Sequence, residues 1–353
     1  MEKIRYAVAG SGFRALIFAR MAKLLPERFE LTGVLCRTQE KARAIEREHG
    51  VRAVWTMQAL LEDKPDFVVS CVSKDGMCEM AKALLLAGMP VLSETPLALE
   101  TGELLALYDI WQKTGTPLAL AEQYFLFPRH QARRALIDRG LLGDVVSCAL
   151  STAHEYHAIS LMRHYLGEER GPVAIRARQT VTPLALVGSR EGFFADRGMG
   201  EELRIFAQMD YPGGKLGLYD FSGTQYRSAI RGRHVRILGT RGEIFDDEIL
   251  YVAADGRPQR ARLDVRSDLI TGTIRAIDFE GERVYENPFR ADVAMDEDEI
   301  AIAASLAGMG RLARTGEELY PIRFAFRDAY LSCLLLQAAR EDGARTTRSM
   351  PWD

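Results

Sequence analysis

The sequence predicts a two-domain fold: an N-terminal α/β domain with a doubly wound parallel sheet, then an α+β domain with a large, mainly antiparallel sheet. Through about the first 120 residues, strand-like and helix-like segments alternate, as in a parallel sheet with helices on both faces. The pattern changes after Gln123, and from Val173 to about Ala254 it consists mainly of period-two runs separated by turn residues, which indicates antiparallel strands. We therefore expect domains at residues 1–122 and 123–353.

In the first domain, short apolar runs predict strands and apolar residues at helical spacing predict helices. The first helix begins at Phe13 and ends before Pro26, and a later helix is closed by Gly88. The predicted strands cover residues 4–9, 31–36, 67–72, 90–93 and 117–121. The further predicted helices cover residues 39–49, 78–87 and 102–114.

In the second domain, a predicted helix over residues 129–139 precedes a strand over 144–152 and a helix over 158–166. The turn Pro212-Gly213-Gly214 predicts a hairpin between strands at 202–211 and 216–221. Two more strands, at 234–238 and 243–245, flank a glycine-containing turn. The chain closes with two predicted helices over residues 298–314 and 322–340.

The composition excludes several classes of protein. With 353 residues, 47% of them hydrophobic and 27% charged, the chain is neither disordered nor a disulfide scaffold. A net charge of −3 gives no field that would attract nucleic acid or anionic lipid. No apolar run approaches the ~20 residues of a membrane helix, and the N-terminus enters a strand without a signal peptide. Five scattered cysteines indicate buried thiols in a reducing compartment, so a soluble, cytoplasmic protein is expected.

A glycine-rich loop lies where the first strand meets the first helix. Residues 10–15 read GSGFRA, a G-x-G-x-x-A pattern that allows a tight turn and a close approach of the backbone to a pyrophosphate. The helix N-terminus behind the loop offers N–H groups and a partial positive charge to phosphates. This context predicts a Rossmann dinucleotide site. The alternative is a glycine turn that serves packing alone.

The end of the second strand predicts which dinucleotide binds. NAD enzymes usually place an acidic residue there for the ribose 2′-hydroxyl, whereas an arginine accommodates a 2′-phosphate. Here the strand ends in Arg37 and Thr38, with no Asp or Glu at that position. The prediction is NADP(H) in preference to NAD(H), with NAD as the alternative cofactor. Arg37 as an ordinary exposed arginine remains the competing interpretation.

Several motifs together resemble the Gfo/Idh/MocA family, which includes glucose–fructose oxidoreductase and inositol dehydrogenase. They are residues 91–98 (VLSETPLA), 121–124 (AEQY), 136–144 (LIDRGLLGD), 157–167 (HAISLMRHYLG) and 238–243 (LGTRGE). The resemblance extends over essentially the whole chain. It implies a Rossmann domain, a substrate domain that also forms dimers or tetramers, and oxidoreductase activity.

The resemblance also implies roles for individual residues. The residues placed on the phosphates of the cofactor are Gly10, Ser11, Gly12, Phe13 and Arg14. Those placed around the nicotinamide and its ribose are Ser73, Lys74, Glu94, Thr95 and Gln123. His157 falls at the position of the family's acid/base histidine.

The chain departs from the family pattern at the catalytic motif. Thr95 replaces the lysine of the usual Glu-Lys-Pro, and Met77 replaces a frequent histidine. The carboxylates that commonly flank the catalytic histidine are replaced by Ala153 and Ser160. His157 therefore acts alone or with new partners, for which Lys74 and Tyr156 are candidates, together with His154 and Glu155. A histidine suits this role because its pKa lies near neutral pH.

These observations favour an NAD(P)-dependent oxidoreductase acting on a sugar, polyol or cyclitol-like hydroxyl. Two alternatives stay open: a redox-neutral, cofactor-assisted elimination or epimerisation, and a non-catalytic sensor of a nucleotide or sugar. His154, His157 and His164 lie within eleven residues, but no carboxylate stands at a convincing spacing, so no metal site is expected. The expected partners are a carbohydrate-like substrate and further copies of the chain, without nucleic acid or membrane.

Overall fold

The structure is a computed structural model that describes residues 2–167, 171–189, 192–193 and 198–353. By its internal contacts the chain divides into two compact units. The first unit consists of two segments, Met1–Leu126 and Asp292–Tyr330. The second unit consists of Phe127–Ala291 and Leu331–Asp353. The division at Leu126 lies four residues from the expected domain boundary. The expected scheme has one boundary, whereas in the structure residues 292–330 belong to the first unit.

Strands and helices alternate through the N-terminal part of the chain. They are β1 (Ile4–Ala9), α1 (Phe13–Leu24), β2 (Phe29–Leu35), α2 (Gln39–His49), β3 (Ala53–Val54), α3 (Met57–Leu61), β4 (Phe67–Ser70), α4 (Lys74–Leu86), β5 (Val91–Ser93), α5 (Thr101–Thr114) and β6 (Leu118–Leu120). The six strands form one parallel sheet in the order β3-β2-β1-β4-β5-β6. This order is the doubly wound Rossmann topology, which confirms the predicted fold class of this part.

The rest of the chain is richer in strands. Its elements are α6 (Pro128–Asp138), β7 (Val145–Ser151), α7 (Glu155–Leu166), β8 (Ala174–Ala185), β9 (Gly188–Ser189), β10 (Gly192–Phe193), β11 (Met199–Asp210), β12 (Leu216–Phe221), β13 (His234–Gly239), β14 (Gly242–Phe245), β15 (Glu248–Val252), β16 (Pro258–Ser267), β17 (Ile274–Phe279), β18 (Glu282–Glu286), α8 (Glu297–Thr315), α9 (Ile322–Arg340) and β19 (Gly343–Thr346). Short 3₁₀ turns cover Tyr124–Leu126, Pro212–Gly214 and Gly223–Tyr226.

The second unit is built on a sheet in the order β18-β17-β16-β15-β14-β13-β7-β12-β11-β8-β19. Only the β7–β12 pair in this sheet is parallel, so the sheet is mainly antiparallel, as predicted. The predicted hairpin is present, with β11 paired to β12 across a turn in which Gly213 has φ 73°. Helix α7 packs on β7 and β12, and α6 packs on β17 and β18.

Several predicted boundaries were wrong, and each error has a physical cause. Helix α4 begins at Lys74 rather than residue 78, because its polar first turn lacks the apolar spacing used to find it. Strand β4 ends at Ser70, two residues before its predicted end at residue 72. Likewise α7 begins at Glu155 rather than residue 158. The elements β3 and α3 went unpredicted because two and five residues are too short to show a period.

All five cysteines are buried and none forms a disulfide, in agreement with the thiols expected from the sequence. Within the described ranges, no helix combines the length and the apolar character needed to cross a bilayer.

Candidate functional site

The loop after β1 lies at the centre of the parallel sheet. Strand β1 pairs with β2 on one side and with β4 on the other, so the chain reverses its winding direction there. In open α/β sheets, ligands bind outside the carboxyl ends of the strands at such a reversal. The predicted loop, residues 10–15, begins directly after the last residue of β1.

Gly10 occupies a position that only glycine tolerates. Its φ is 127°, and a Cβ there would lie 2.3 Å from the carbonyl oxygen of Cys71. Its N–H donates to the carbonyl of Leu35 at 3.0 Å, which fixes the loop against the end of β2. The tight turn predicted from the sequence is therefore enforced by backbone packing.

Gly12 serves a different purpose from Gly10. It is the N-cap of α1, and a Cβ added to it would meet no atom within 4 Å. The cap has no side-chain hydrogen bond, and the first turn of α1 contains no acidic residue. The space beside Gly12 and the uncapped N–H groups behind it suit a pyrophosphate. Ala15 is buried beneath the loop, so its small side chain permits close packing.

The end of β2 presents the predicted cofactor-selecting residues. Arg37 is exposed and makes no ion pair within the described residues. Thr38 is the N-cap of α2, and its Oγ1 accepts a hydrogen bond from the N–H of Lys41 at 3.2 Å. The hydroxyl proton of Thr38 therefore remains available to donate.

The start of α4 carries Ser73 and Lys74. Ser73 is the N-cap of the helix, and both side chains are exposed beyond the carboxyl end of β4. Met77, where the family often has a histidine, is only 2% exposed. Met77 is thus a core residue of this unit, which accounts for its apolar character.

A partly buried ionic network joins the glycine loop to residues that follow β5 and β6. Nε of Arg14 donates to Glu94 at 2.9 Å, and its Nη1 donates to Asp298 in the first turn of α8 at 2.7 Å. The second oxygen of Glu94 accepts from the N–H of Thr95 at 3.1 Å. Nε2 of Gln123 donates to the other oxygen of Asp298 at 3.2 Å. Glu94 and Gln123 are both buried.

The charges in this network keep Arg14 protonated. Burial lowers the pKa of its guanidinium, but the attraction of Glu94 and Asp298 outweighs burial, and the net pKa is raised. Nε and Nη1 of Arg14 bind carboxylates, whereas Nη2 does not. The backbone N–H of Arg14 lies in the first turn of α1, where the resemblance expects the phosphates of the cofactor.

Asp298 was not predicted as a site residue, because it lies 175 positions after Gln123 in the sequence. The available signal was a capping box: Asp296 accepts from the N–H of Glu299 at 2.8 Å, and Glu299 accepts from the N–H of Asp296 at 3.2 Å. This signal identifies the start of a helix. It does not say which partner the helix meets.

Of the predicted catalytic residues, Lys74 lies in the first unit, and His157 and Tyr156 lie in the second. His157 and Tyr156 occupy the first turn of α7, where Tyr156 is buried and the two rings pack edge to face at 6.0 Å. His154, the N-cap residue, is exposed and packs on Tyr226 at 4.9 Å. Burial lowers the pKa of His164 to about 3. His164 is therefore a packed, neutral histidine.

Within the described residues, no group of three or more His, Cys, Asp or Glu side chains is arranged to hold a metal ion.

Comparison with known proteins identifies relatives of this chain. Residues 4–122 match the family GFO_IDH_MocA, described as an oxidoreductase family with an NAD-binding Rossmann fold. A curated relative, the dTDP-3,4-didehydro-2,6-dideoxy-alpha-D-glucose 3-reductase of Streptomyces violaceoruber, is 35% identical over 155 residues. That match covers 43% of this chain and 44% of the relative, so the chain spans less than half of the relative's length.

Solved structures share the fold over nearly the full chain. An oxidoreductase from Agrobacterium radiobacter in complex with NAD⁺, L-tartaric acid and magnesium has a TM-score of 0.68 at 16% identity, with 98% of each chain covered. A myo-inositol dehydrogenase from Corynebacterium glutamicum has a TM-score of 0.66 at 15% identity, covering 99% of this chain and all of that one. A levoglucosan dehydrogenase in complex with NADH and levoglucosan has a TM-score of 0.72 at 15% identity, with the same coverage. At 15–16% identity these three structures show a shared fold, and the match to the Gfo/Idh/MocA oxidoreductase family covers the NAD-binding Rossmann segment, residues 4–122 of the 353-residue chain.

Proposed function

We propose that this protein is an NADP(H)-dependent oxidoreductase that interconverts a hydroxyl and a ketone on a sugar, polyol or cyclitol-like ring. The observation that carries the proposal is the loop after β1. Residue 10 must be a glycine because a Cβ there would collide with the carbonyl oxygen of Cys71. At Gly12, by contrast, there is open space beside a helix N-terminus that no side chain caps. A turn that served packing alone would need the tight fit at Gly10 but not the open space at Gly12. The open space therefore suits the loop to a ligand with phosphates.

The residues at the carboxyl ends of the strands fit a dinucleotide. The N–H groups of the first turn of α1 would hold the pyrophosphate, and Arg37 with Thr38 would hold a 2′-phosphate on the adenosine ribose. The nicotinamide half of the dinucleotide would be surrounded by Ser73, Lys74, Glu94, Thr95 and Gln123. When bound, the nicotinamide supplies or accepts the hydride, which no side chain can do.

His157 is proposed to move the proton that accompanies hydride transfer. In ketone reduction it would donate to the developing alkoxide, and in alcohol oxidation it would accept from the hydroxyl. The chain lacks the usual lysine, so Lys74 and Tyr156 are proposed as helpers. His157 is proposed for this role because the resemblance places it at the position of the family's acid/base histidine. His164 is less suited to the role because it is packed and burial keeps it neutral.

The names of the relatives support the proposed substrate class. The 35% identical relative acts on a dideoxy-hexose bound to dTDP, and the levoglucosan and myo-inositol dehydrogenases are named for ring polyols. We therefore propose a ring carbohydrate or its ketone as substrate, with a homo-oligomer as the working form.

A non-catalytic sensor is a second candidate, favoured by one observation. Thr95 stands where the reacting hydroxyl would meet a lysine, and its N–H is bound to Glu94. A redox-neutral elimination or epimerisation is the remaining alternative. In that reaction the hydride taken from a substrate hydroxyl would be returned to the substrate within the same cycle, so the oxidised cofactor would be restored and substrate would turn over without a net change in absorbance at 340 nm.

The test is to measure NADPH and NADH oxidation at 340 nm with a panel of keto-sugars and inosose-type ketones, followed by product analysis. The His157→Gln variant should lose about 100-fold or more in kcat while keeping its dinucleotide affinity. His234→Gln, a histidine on β13 paired with Asp246, is the matched control and should retain full activity. Full activity in His157→Gln would remove His157 from the mechanism. Tight dinucleotide binding without any turnover would favour the sensor.

A further inference from the structure

Two buried polar atoms of the Arg14 network lack partners. Nη2 of Arg14 and Oε1 of Gln123 make no hydrogen bond within the described part of the chain. Gln123 is 5% exposed, so solvent does not readily satisfy its oxygen. Because buried polar atoms are nearly always hydrogen-bonded in native proteins, an unpaired donor and an unpaired acceptor together indicate a ligand group.

One carboxylate binds the side chains that carry these two atoms. Asp298 accepts from Nη1 of Arg14 on one oxygen and from Nε2 of Gln123 on the other. Glu94 fixes the Nε edge of the same guanidinium. These bonds orient both side chains, so that Arg14 presents a donor and Gln123 presents an acceptor on either side of Asp298.

The charge of the network selects a neutral ligand group. Two carboxylates, from Glu94 and Asp298, surround one guanidinium, so the cluster carries excess negative charge and disfavours a phosphate or a carboxylate. A group that only accepts hydrogen bonds would also face the oxygen of Gln123. The matching group carries an acceptor and a donor side by side, as a carboxamide does.

The position of the network in the sheet identifies which part of a dinucleotide lies beside it. The pyrophosphate belongs at the loop after β1, and Arg37 marks the β2 side for the adenosine. The other half of the molecule must then lie on the β4–β6 side. Glu94 follows β5 and Gln123 follows shortly after β6 on that side.

We infer that Arg14 and Gln123, positioned by Asp298 of α8, bind the carboxamide of the nicotinamide, whose oxygen accepts from Nη2 and whose NH₂ donates to Oε1. This inference rests on the proposed function, since it requires a nicotinamide dinucleotide. It assigns helix α8 a place in cofactor recognition through Asp298, a positioning residue that contacts no cofactor itself.

The test compares three ligands by isothermal titration calorimetry: NAD⁺, its 3-acetylpyridine analogue and ADP-ribose, each with a 2′-phosphate if the protein prefers NADP(H). The analogue keeps the carbonyl oxygen but replaces the NH₂ with a methyl group. The wild-type protein should bind the dinucleotide about fivefold more tightly than the analogue, because one hydrogen bond is lost. In Gln123→Leu this preference should disappear, while ADP-ribose binds as in the wild type.

A second variant guards against misfolding of the first. The Asp298→Asn substitution keeps the size of the side chain. The new NH₂ group would face Gln123, so the amide of Gln123 must rotate to place its oxygen against that NH₂ group. Gln123 would then present an NH₂ to the ligand, so the preference for the carboxamide should be lost again. Asp66→Asn, which breaks a 2.7 Å ion pair with Arg314 in the last turn of the same helix, is the control and should keep the preference.

An unchanged preference in both Gln123→Leu and Asp298→Asn would overturn the inference. An equal loss of affinity for NAD⁺ and ADP-ribose would also overturn it, because that result places the contact on the ribose. A wild-type protein that binds none of the dinucleotides would instead refute the proposed function. The two failures are therefore distinguishable.

Discussion

Gly10 and Gly12 look equivalent in the sequence but differ in what surrounds them. Alanine at position 10 would need a φ of 127° and would collide with the carbonyl of Cys71. Alanine at position 12 meets no protein atom within 4 Å, and its backbone, at φ −83°, is unstrained. The first glycine is required by the fold, and the second is required by the ligand that we propose.

The glycine pair gives the first prediction. Gly10→Ala should lower stability by about 2 kcal/mol or more, and Tm by about 4 °C or more. Gly12→Ala should leave Tm within about 2 °C but weaken dinucleotide binding at least about tenfold, because the methyl group occupies the space for the pyrophosphate. Thermal unfolding and calorimetric titration measure the two effects. Equal affinity in Gly12→Ala and wild type would place the phosphates elsewhere.

Arg37 gives the second prediction, on cofactor choice. Its exposed guanidinium makes no ion pair within the described residues, so it can bind a 2′-phosphate without first breaking a protein contact. Arg37→Ala should weaken NADPH binding about tenfold or more and change NADH binding less than about twofold. Arg43→Ala, an exposed arginine on α2, is the matched control. A parallel loss for both dinucleotides would contradict the selector role.

Single residues of the site were predictable only where the pattern is local. The glycine loop could be found because its turn, cap and helix all lie within six residues. The partnership of Arg14 with Asp298 could not, since the two are 284 positions apart and only folding brings them together. The roles of Lys74, Tyr156 and His157 in catalysis stay predictions.

At the scale of elements, the first turn of α8 positions the polar network. Asp296 and Glu299 form a capping box, which fixes where the helix begins and so where Asp298 stands. The next acidic residue, Glu299, pairs with Arg20 of α1 at 2.7 Å. The start of α8 is thus attached to α1 by two ion pairs, Arg14–Asp298 and Arg20–Glu299.

The cap of α8 gives the third prediction. Asp296→Ala should lower stability by about 1 kcal/mol, because the N–H of Glu299 loses its acceptor. Asp296→Asn should be nearly neutral, because asparagine caps helices about as well. Chemical denaturation of the two variants beside wild type measures this difference. Equal stability of Asp296→Ala and wild type would show that the cap contributes nothing.

Helices α6 and α7 give the fourth prediction, a dependence of stability on pH. Burial lowers the pKa of His130 well below its usual value and that of His164 to about 3. The unfolded chain binds protons at both residues below pH ~6.5 and the folded chain does not, so stability is lost as pH falls. Each histidine should contribute a slope of about 1.4 kcal/mol per pH unit well below that value.

Unfolding by denaturant at pH 7, 6 and 5 tests this slope. His164→Asn removes one of the two titrating groups, so its slope should be smaller than that of wild type by about 1.4 kcal/mol per pH unit. An identical slope in the variant and wild type would mean that His164 titrates in the folded protein.

Long elements with a clear period were predictable, and short or polar ones were not. The predicted ranges for β1, α2, β12 and α9 match the structure residue for residue. The first turns of α4 and α7 were missed because they hold polar residues that follow the N-caps Ser73 and His154. Helix starts are set by backbone capping as well as by apolar spacing.

At the scale of the whole molecule, local sequence patterns predicted both sheets but not the return of the chain. Residues 292–330 come after the large sheet in sequence, yet they belong to the first unit. Gly308 and Gly310 of α8 allow this close packing, because a Cβ on them would collide with Leu319 and Ile4 respectively. Contacts at such separations leave no periodic signal in the sequence.

The central claim, that this chain binds a nicotinamide dinucleotide to carry out its chemistry, is tested most directly by a thermal-shift titration. Protein shown by ultraviolet absorbance after denaturation to hold no nucleotide is titrated with NADP⁺, NADPH, NAD⁺ and NADH. At 100 times its dissociation constant, a ligand adds about 2.7 kcal/mol, which raises Tm by at least about 2 °C. We predict this rise with the phosphorylated pair, and a rise about half as large or less in Gly12→Ala at the same ligand concentration. No rise with any of the four dinucleotides would contradict the account.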